Sequence, residues 1–198
     1  MDRRSNNIAI FQDSMDLIKA NQKLQQAVQF SIQNQKLYVP SQAIALPEPG
    51  KSSCKTIVSS KRSFEAASAY AKAGKRVCVL NFASATNPGG GVTRGSTAQE
   101  ECLCRCSTLY PCLDTKTMWH QFYQPHRKAG DPRYNDDLLY TPEVVVFKTD
   151  TSAPERMEEK DWYQVDIITC AAPNLRKKPS NACLLYTSPS PRDSTSSR

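Results

Sequence analysis

The amino-acid sequence predicts an α/β sandwich around a mostly parallel or mixed sheet. Two observations carry that prediction. Three short runs are almost continuously apolar, at residues 77–83 (VCVLNFA), 143–148 (EVVVFK) and 165–170 (VDIITC), and such runs fit strands buried on both faces. Helical periodicity fills segments before and between them, and helices alternating with apolar strands mark a layered α/β fold. The chain of 198 residues is long enough for one domain with a substantial core.

Taken in order, residues 7–35 are rich in Gln, Asn, Lys and Ala. Met15, Ile18, Leu24, Val28 and Ile32 fall at roughly helical spacing, and Asp13 or Ser14 offers an N-cap. Residues 39–50 hold three prolines and one glycine and read as a connector. Residues 63–73 (SFEAASAYAKA) predict a short helix capped by Ser63 and stopped by Gly74. Lys75 and Arg76 then lead into the first apolar run. After a glycine-rich turn, residues 97–109 predict another helix. The sequence shows no internal repeat.

Composition narrows the function classes. Hydrophobic residues make up 39% and charged residues 23%, the balance of a soluble folded protein. No run approaches the roughly 18 apolar residues of a membrane span. Residues 1–9 carry two arginines without a following apolar stretch, so no secretory signal is expected and the cytoplasm, with or without the nucleus, is the expected address. The net charge of +7 suits an anionic partner. The basic residues are spread from Arg3 to Arg198 in short clusters, without a basic helix, an RNA-binding aromatic signature or zinc-finger spacing. No specific nucleic acid is therefore implied, and a diffuse field equally suits a chain of pyrophosphates. Eight cysteines without a signal peptide suggest reduced thiols. Cys102, Cys104, Cys106 and Cys112, with His120 and His126 beyond, raise the question of zinc. The spacing is not CxxC, and on a helix Cys104 faces away from Cys102 and Cys106. Buried small hydrophobes are the better reading, with no metal expected. Residues 119–127 (WHQFYQPHR) read as a surface helix or loop, and their aromatics, with Tyr134, as core or rim.

The C-terminus has a different character. Residues 183–193 (CLLYTSPSPRD), followed by STSSR, lack any core-forming pattern, and they can be encoded by the DNA of a common transposase sequencing adapter. The expectation is that natural sequence runs to Ala182 and that residues 183–198 are a non-native tail. Without that tail 24 basic and 18 acidic residues remain, a net +6.

The chemistry concentrates in residues 77–113. A buried strand ends near Ala83, and the chain turns through Asn87 and Pro88 into Gly89, Gly90 and Gly91. Seven residues later come Gln99, Glu100 and Glu101 at a helix start. Consecutive glycines allow positive φ and close approach of backbone N–H groups to phosphate oxygens, and ligands in open α/β sheets sit at the carboxyl ends of strands. By itself a glycine triplet equally makes a plain tight turn. It is neither a P-loop nor a dinucleotide fingerprint, since no Gly-Lys-Ser/Thr follows and G-x-G-x-x-G is absent. Two acidic residues in a first helical turn also complement the helix dipole without any catalytic role. Neighbours on a helix point about 100° apart, so the two carboxyls have room for different tasks.

The combination GGG, seven-residue spacer, QEE resembles the signature of poly(ADP-ribose) glycohydrolases. The LNFASATNPGGG segment, the CLCRCSTLY after QEE, the run Tyr140-Thr141-Pro142-Glu143-Val144 and DIITCAAPN at residues 166–174 are similar to the microbial branch of that family. The resemblance covers residues 7–176. It implies a macrodomain-like three-layer α/β/α sandwich that binds ADP-ribose and cleaves the ribose–ribose O-glycosidic bond of poly(ADP-ribose). By the same resemblance Glu101 is the catalytic acid and then base, a role suited by a raised pKa from burial beside a second carboxylate. Glu100 holds ribose hydroxyls, Gln99 fixes the loop and helix start, and Gly89 to Gly91 lie against the diphosphate and distal ribose. Asn87 and Asn81 hydrogen-bond ribose hydroxyls. No metal or cofactor is implied. The implied partner is poly(ADP-ribose) or an ADP-ribosylated protein, met by a monomer.

One departure stands out. Family members continue past AAPN through a helix and strand into a GxFGN-type loop over the diphosphate, and nothing like it follows Asn174. Residues 1–182 therefore read as a catalytic domain incomplete at its C-terminus, with an N-terminal extension to about residue 35. Two other functions compete: a non-catalytic ADP-ribose-binding module, which the intact QEE argues against, and a basic nucleic-acid-binding module, which predicts steep salt dependence.

Overall fold

A computed structural model describes residues 2–42, 54–132 and 134–171. The expectations for Asn174, for the 183–198 tail and for most of the 39–50 connector lie outside these residues.

The chain opens with two helices, α1 (Arg3–Ala20) and α2 (Gln22–Asn34), joined at Asn21. Asp2 caps α1 by accepting from Ser5 N–H at 2.9 Å. The Asn21 amide caps α2 by accepting from the N–H groups of Lys23 and Leu24 at 2.9 and 3.1 Å. The cap expected at Asp13 or Ser14 is thus displaced to Asp2, because both side chains have tertiary work. Asp13 pairs with buried Lys148 at 2.7 Å, and Ser14 Oγ lies 2.7 Å from the carbonyl of Arg105.

Helix α3 (Ser63–Lys72) ends at Gly74, at φ +71°, as expected. Its cap is not Ser63. The Phe64 N–H donates to Asp150 at 3.0 Å, Glu65 reaches back to the Arg62 N–H at 3.3 Å, and Ser63 Oγ accepts from Gln99. The helix expected over 97–109 is broken into α4 (Gln99–Cys106) and α5 (Leu109–Leu113). The break occurs because Ser107 bridges to Val146 and Thr108 exchanges hydrogen bonds with Val145. Beyond it lie a short α6 (Lys116–Met118), a π-helical turn (Trp119–Tyr123) and α7 (Gln124–Ala129). This stretch is the surface helix the sequence suggests, with His120, Gln121, Gln124, Pro125 and Arg127 exposed, and its aromatics form a buried face. Phe122 and Tyr123 are fully buried and His126 nearly so, their rings meeting edge to face.

Four strands form one mixed sheet in the order β1 (Lys36–Tyr38), β3 (Leu138–Val146), β4 (Tyr163–Ala171), β2 (Cys78–Ala83). β2 runs parallel to β4, whereas β3 is antiparallel to both β4 and β1. β3 begins well before the apolar run that predicted it and carries an irregularity between Thr141 and Val144. Pro142 supplies no N–H there, and Glu143, at φ +52°, donates its N–H to Asp166 of β4 instead.

The larger of two buried clusters lies on one face of this sheet. Val79, Leu139, Val144, Val146, Val165 and Ile167 point inward against Phe11 of α1, Phe64 of α3, Leu103 and Cys104 of α4 and Leu109 of α5. Each fully buried Leu or Phe contributes roughly 2–3 kcal/mol. The buried-on-both-faces expectation for β2 is corrected, since its residues alternate. Val79, Asn81 and Ala83 are buried, whereas Leu80 and Phe82 on the other face are 45% and 60% exposed. A second, smaller cluster packs Val145 of β3 and Phe147 against Ile18 of α1 and Leu24 of α2.

Of the four cysteines weighed for zinc, three settle as small core residues and Cys102 is half-buried. Cys104, Cys106 and Cys112 are buried, and burial pushes the thiols of Cys106 and Cys112 up to about 12.

Candidate active site

β2 delivers the chain to the site and α4 supplies the acids. Gln99, the first residue of α4, binds the backbone of β2 as a neighbouring strand would. Its Oε1 accepts from Phe82 N–H at 2.8 Å, and its Nε2 donates to the Leu80 carbonyl at 2.7 Å and to Ser63 Oγ at 3.0 Å. The amide is thereby committed to holding α4 on the strand rather than to the glycine loop. It also places Glu100 and Glu101 beside the strand end.

Both carboxyls are almost fully buried, at 3% and 7% exposure. One oxygen of each is anchored by backbone: Glu100 Oε2 accepts from Ser84 N–H and Glu101 Oε1 from Gly91 N–H, each at 2.8 Å. The other oxygens, Glu100 Oε1 and Glu101 Oε2, have no partner among the described residues, and neither has the amide oxygen of fully buried Asn81. Unpartnered buried acceptors grouped in one place are uncommon in folded proteins and call for a ligand or ordered water.

The glycine loop closes over this pair. Its turn is held by Gly90 N–H donating to Asn87 O at 3.0 Å and Val92 N–H to Gly89 O at 3.1 Å. Gly90 sits at φ +60°, and a Cβ there would lie 2.6 Å from Glu101 Oε1 and 3.0 Å from Glu100 Oε2. Only glycine lets this backbone rest on the carboxyls. The spacer between loop and helix is tied down by residues that nothing in the sequence singles out. Buried Arg105 donates to Ser96 O at 2.7 Å, and Asn7 of α1 donates to Gly95 O at 3.0 Å. Asn87 lies at the entry to the loop, its Oδ1 accepting from Arg127. The eight residues singled out by sequence thus collect at one end of the sheet: Gly90 and Gly91 rest on Glu100 and Glu101, Gly89 packs on Tyr110 and Cys104, Asn81 donates to Thr169 of β4, Gln99 holds the strand and Asn87 accepts from Arg127.

Electrostatically, burial dominates. The positive end of α4 favours a carboxylate by 0.3–1 kcal/mol, which is about half a pKa unit. Burial overrides it and, with the Glu101 charge adding to the push, raises the Glu100 carboxyl from its ordinary 4.5 to about 8. The folded protein therefore keeps a proton that the unfolded chain has released between about pH 4.5 and 8, so stability falls as pH rises through that window. Glu100→Gln, which carries no such proton, is expected to match the parent melting temperature near pH 4.5 and to exceed it by on the order of 10 °C at pH 8. Thermal melts across that range check this, and a difference that does not change with pH contradicts it.

Among the described residues no group of three or more His, Cys, Asp or Glu side chains is placed to hold a metal, and no helix is long and apolar enough to cross a membrane.

Comparison with known proteins decides the family. The sequence profile of the microbial-type PARG catalytic domain matches residues 8–149. The chain belongs to that family. PARG denotes poly(ADP-ribose) glycohydrolase, and solved structures agree. The PARG of Thermomonospora curvata is similar at 31% identity with a TM-score of 0.74, over 87% of this chain and 66% of that one. The same enzyme bound to the inhibitor ADP-HPD is 28% identical with a TM-score of 0.66, over 92% and 71%. A PARG of Deinococcus radiodurans in complex with ADP-ribose is 29% identical with a TM-score of 0.64, over 81% and 65%. The chain thus has the mixed α/β fold of bacterial PARGs and spans about two thirds of their length. Comparison with curated proteins gave no match.

Proposed function

We propose that the protein is a hydrolase that cleaves the ribose–ribose O-glycosidic bond of poly(ADP-ribose) and releases ADP-ribose. The observation that carries this reading is the pair Glu100 and Glu101, buried under the triglycine loop, each with one anchored and one unpartnered oxygen. Family membership, and relatives crystallised with ADP-ribose and ADP-HPD, support the ligand class.

In this reading Glu101 is the acid, its Oε1 held by the Gly91 N–H. It gives the proton to the departing ribose oxygen as the glycosidic bond breaks, leaving an oxocarbenium-like sugar. The resulting carboxylate then takes a proton from the attacking water, which forms the new C–O bond and restores the acid. Glu100, kept protonated near neutrality by burial, offers its free oxygen to a ribose hydroxyl. Asn81 and Asn87 contact the same sugar, Gly89 to Gly91 take the distal ribose and diphosphate, and Gln99 acts by holding α4 on β2. Free thiols on all seven described cysteines support a reducing compartment such as the cytoplasm, with a single chain as the working unit.

The test is release of free ADP-ribose from poly(ADP-ribose) by the full-length protein. Release supports the hydrolase. Tight binding of ADP-ribose without release replaces it with a non-catalytic reader, and salt-sensitive DNA or RNA binding that ADP-ribose does not compete for replaces both.

A further inference from the structure

Arg127 of α7 reaches back some forty residues to the turn that opens the glycine loop. Its Nε donates to the Thr86 carbonyl at 2.6 Å and its Nη2 to Asn87 Oδ1 at 2.5 Å. The guanidinium carbon lies 4.6 Å from the centre of the Trp119 ring, so the fork is held by two hydrogen bonds and a stacked face together. Trp119 is itself fixed, donating its indole N–H to Asp114 at 2.7 Å. Asp114 also accepts from the Tyr110 hydroxyl at 3.1 Å, and the Tyr110 ring edge lies 2.8 Å from where a Cβ on Gly89 would be. Arg127, Trp119, Asp114 and Tyr110 thus form a continuous brace from the entry of the loop to its first glycine.

This arrangement has a chemical consequence for Asn87. A guanidinium has only donors, so the amide atom facing it is the oxygen. That leaves Nδ2 with two protons. One goes to Thr86 Oγ1 at 3.1 Å, and the other has no partner among the described residues.

We propose that Arg127 is a positioning residue for substrate: it locks the Asn87 side chain so that it presents an N–H donor, and not an acceptor, to a ribose oxygen of the bound ADP-ribose unit. The proposal rests on the reading of Asn87 as a substrate contact. An exposed cation hydrogen-bonding a neighbour is usually worth little. Here the bidentate, stacked geometry is what a lysine cannot reproduce, and the partner is a side chain at the site rather than a surface carboxylate.

The experiment uses the full-length protein with Arg127→Ala, Arg127→Lys, Asn87→Ala and the double Arg127→Ala/Asn87→Ala variant, reading ADP-ribose affinity, KM and kcat. Arg127→Ala is expected to raise Kd and KM roughly threefold to tenfold, the size of one misplaced neutral hydrogen bond from Asn87 to ribose, with kcat changed less than about threefold. Arg127→Lys is expected to recover under half of the loss, and the double variant to be no worse than Asn87→Ala alone. Additive losses, growing at low salt, would mean that Arg127 touches a phosphate itself and would overturn the positioning role. An unchanged Kd and KM in Arg127→Ala would overturn it too. A readout independent of substrate comes from Trp119 fluorescence in a Trp162→Phe background, where loss of the stacked cation is expected to alter the emission. Unchanged emission would show that the brace does not form. Parent protein that binds no ADP-ribose at all, with that emission change intact, would instead sink the functional reading and leave the brace standing.

Discussion

Glu101→Gln is expected to lower ADP-ribose release by about a thousandfold or more while the protein stays folded. General acid–base catalysis by one group is worth roughly 10²–10⁴-fold, and in the proposed cycle a single carboxyl serves as acid in one half-reaction and base in the next. Loss of its proton should therefore fall near the upper end. The substitution is mild for the fold. The Gln amide oxygen still accepts from the Gly91 N–H that now holds Glu101 Oε1 at 2.8 Å, and the amide removes a buried ionisable group. The check is turnover of poly(ADP-ribose) beside a thermal melt and an ADP-ribose titration. A variant that keeps a tenth of parent turnover means that Glu101 is not the acid/base.

Gly90→Ala is expected to be nearly as damaging for a different reason. At φ +60° an alanine costs about 1–2 kcal/mol in backbone strain, which by itself only lowers the melting temperature. The larger effect is steric, because the new Cβ would meet Glu101 Oε1 at 2.6 Å and Glu100 Oε2 at 3.0 Å. Both carboxyls are buried and backbone-anchored, so the clash is relieved by moving them. Displacement of a catalytic group by about 1 Å costs on the order of 10²-fold. Gly74→Ala is the control: φ is +71° but no atom lies within 4 Å of the added Cβ. Comparable loss of stability in the two variants, with a hundredfold loss of kcat only at Gly90, is the expected pattern. Equal activity in both would remove the close packing of loop on carboxyls from the mechanism.

The site was more legible in the sequence than the layers around it. Glycines that allow positive φ and acids in a first helical turn are local signals, and the seven-residue spacer that joins them is short. Asn81 sits on the strand that leads into the loop, so its place at the site follows from chain order. The supports were not legible. Asn7, Arg105 and Arg127 act on the loop or its spacer by hydrogen bonds that cross 88, 9 and 40 residues of chain, and as isolated polar residues none of them is distinctive. The caps went the same way. Asp13 and Ser63 have the right chemistry for a helix start, but each is claimed by a distant partner, Lys148 and Gln99.

The sequence by itself determined that this is an α/β protein, where β2 and β4 lie but only the second half of β3, and which glycines and acids belong together. Those features follow from backbone preference and hydrophobic pattern, which act over a few residues. Only the tertiary structure decided which face of a strand is covered and which helical segment is buried. Residues 77–83 are apolar on both faces, yet Val77, Val79, Asn81 and Ala83 turn to the core whereas Leu80 and Phe82 stay exposed. Residues 119–126 are mixed in character, yet Phe122, Tyr123 and His126 are buried. Burial is a property of what packs against a segment, and that is set by elements far away in the chain. The same holds for the elevated Glu100 carboxyl, whose ordinary preference at a helix start is overruled once loop, strand and helix close around it.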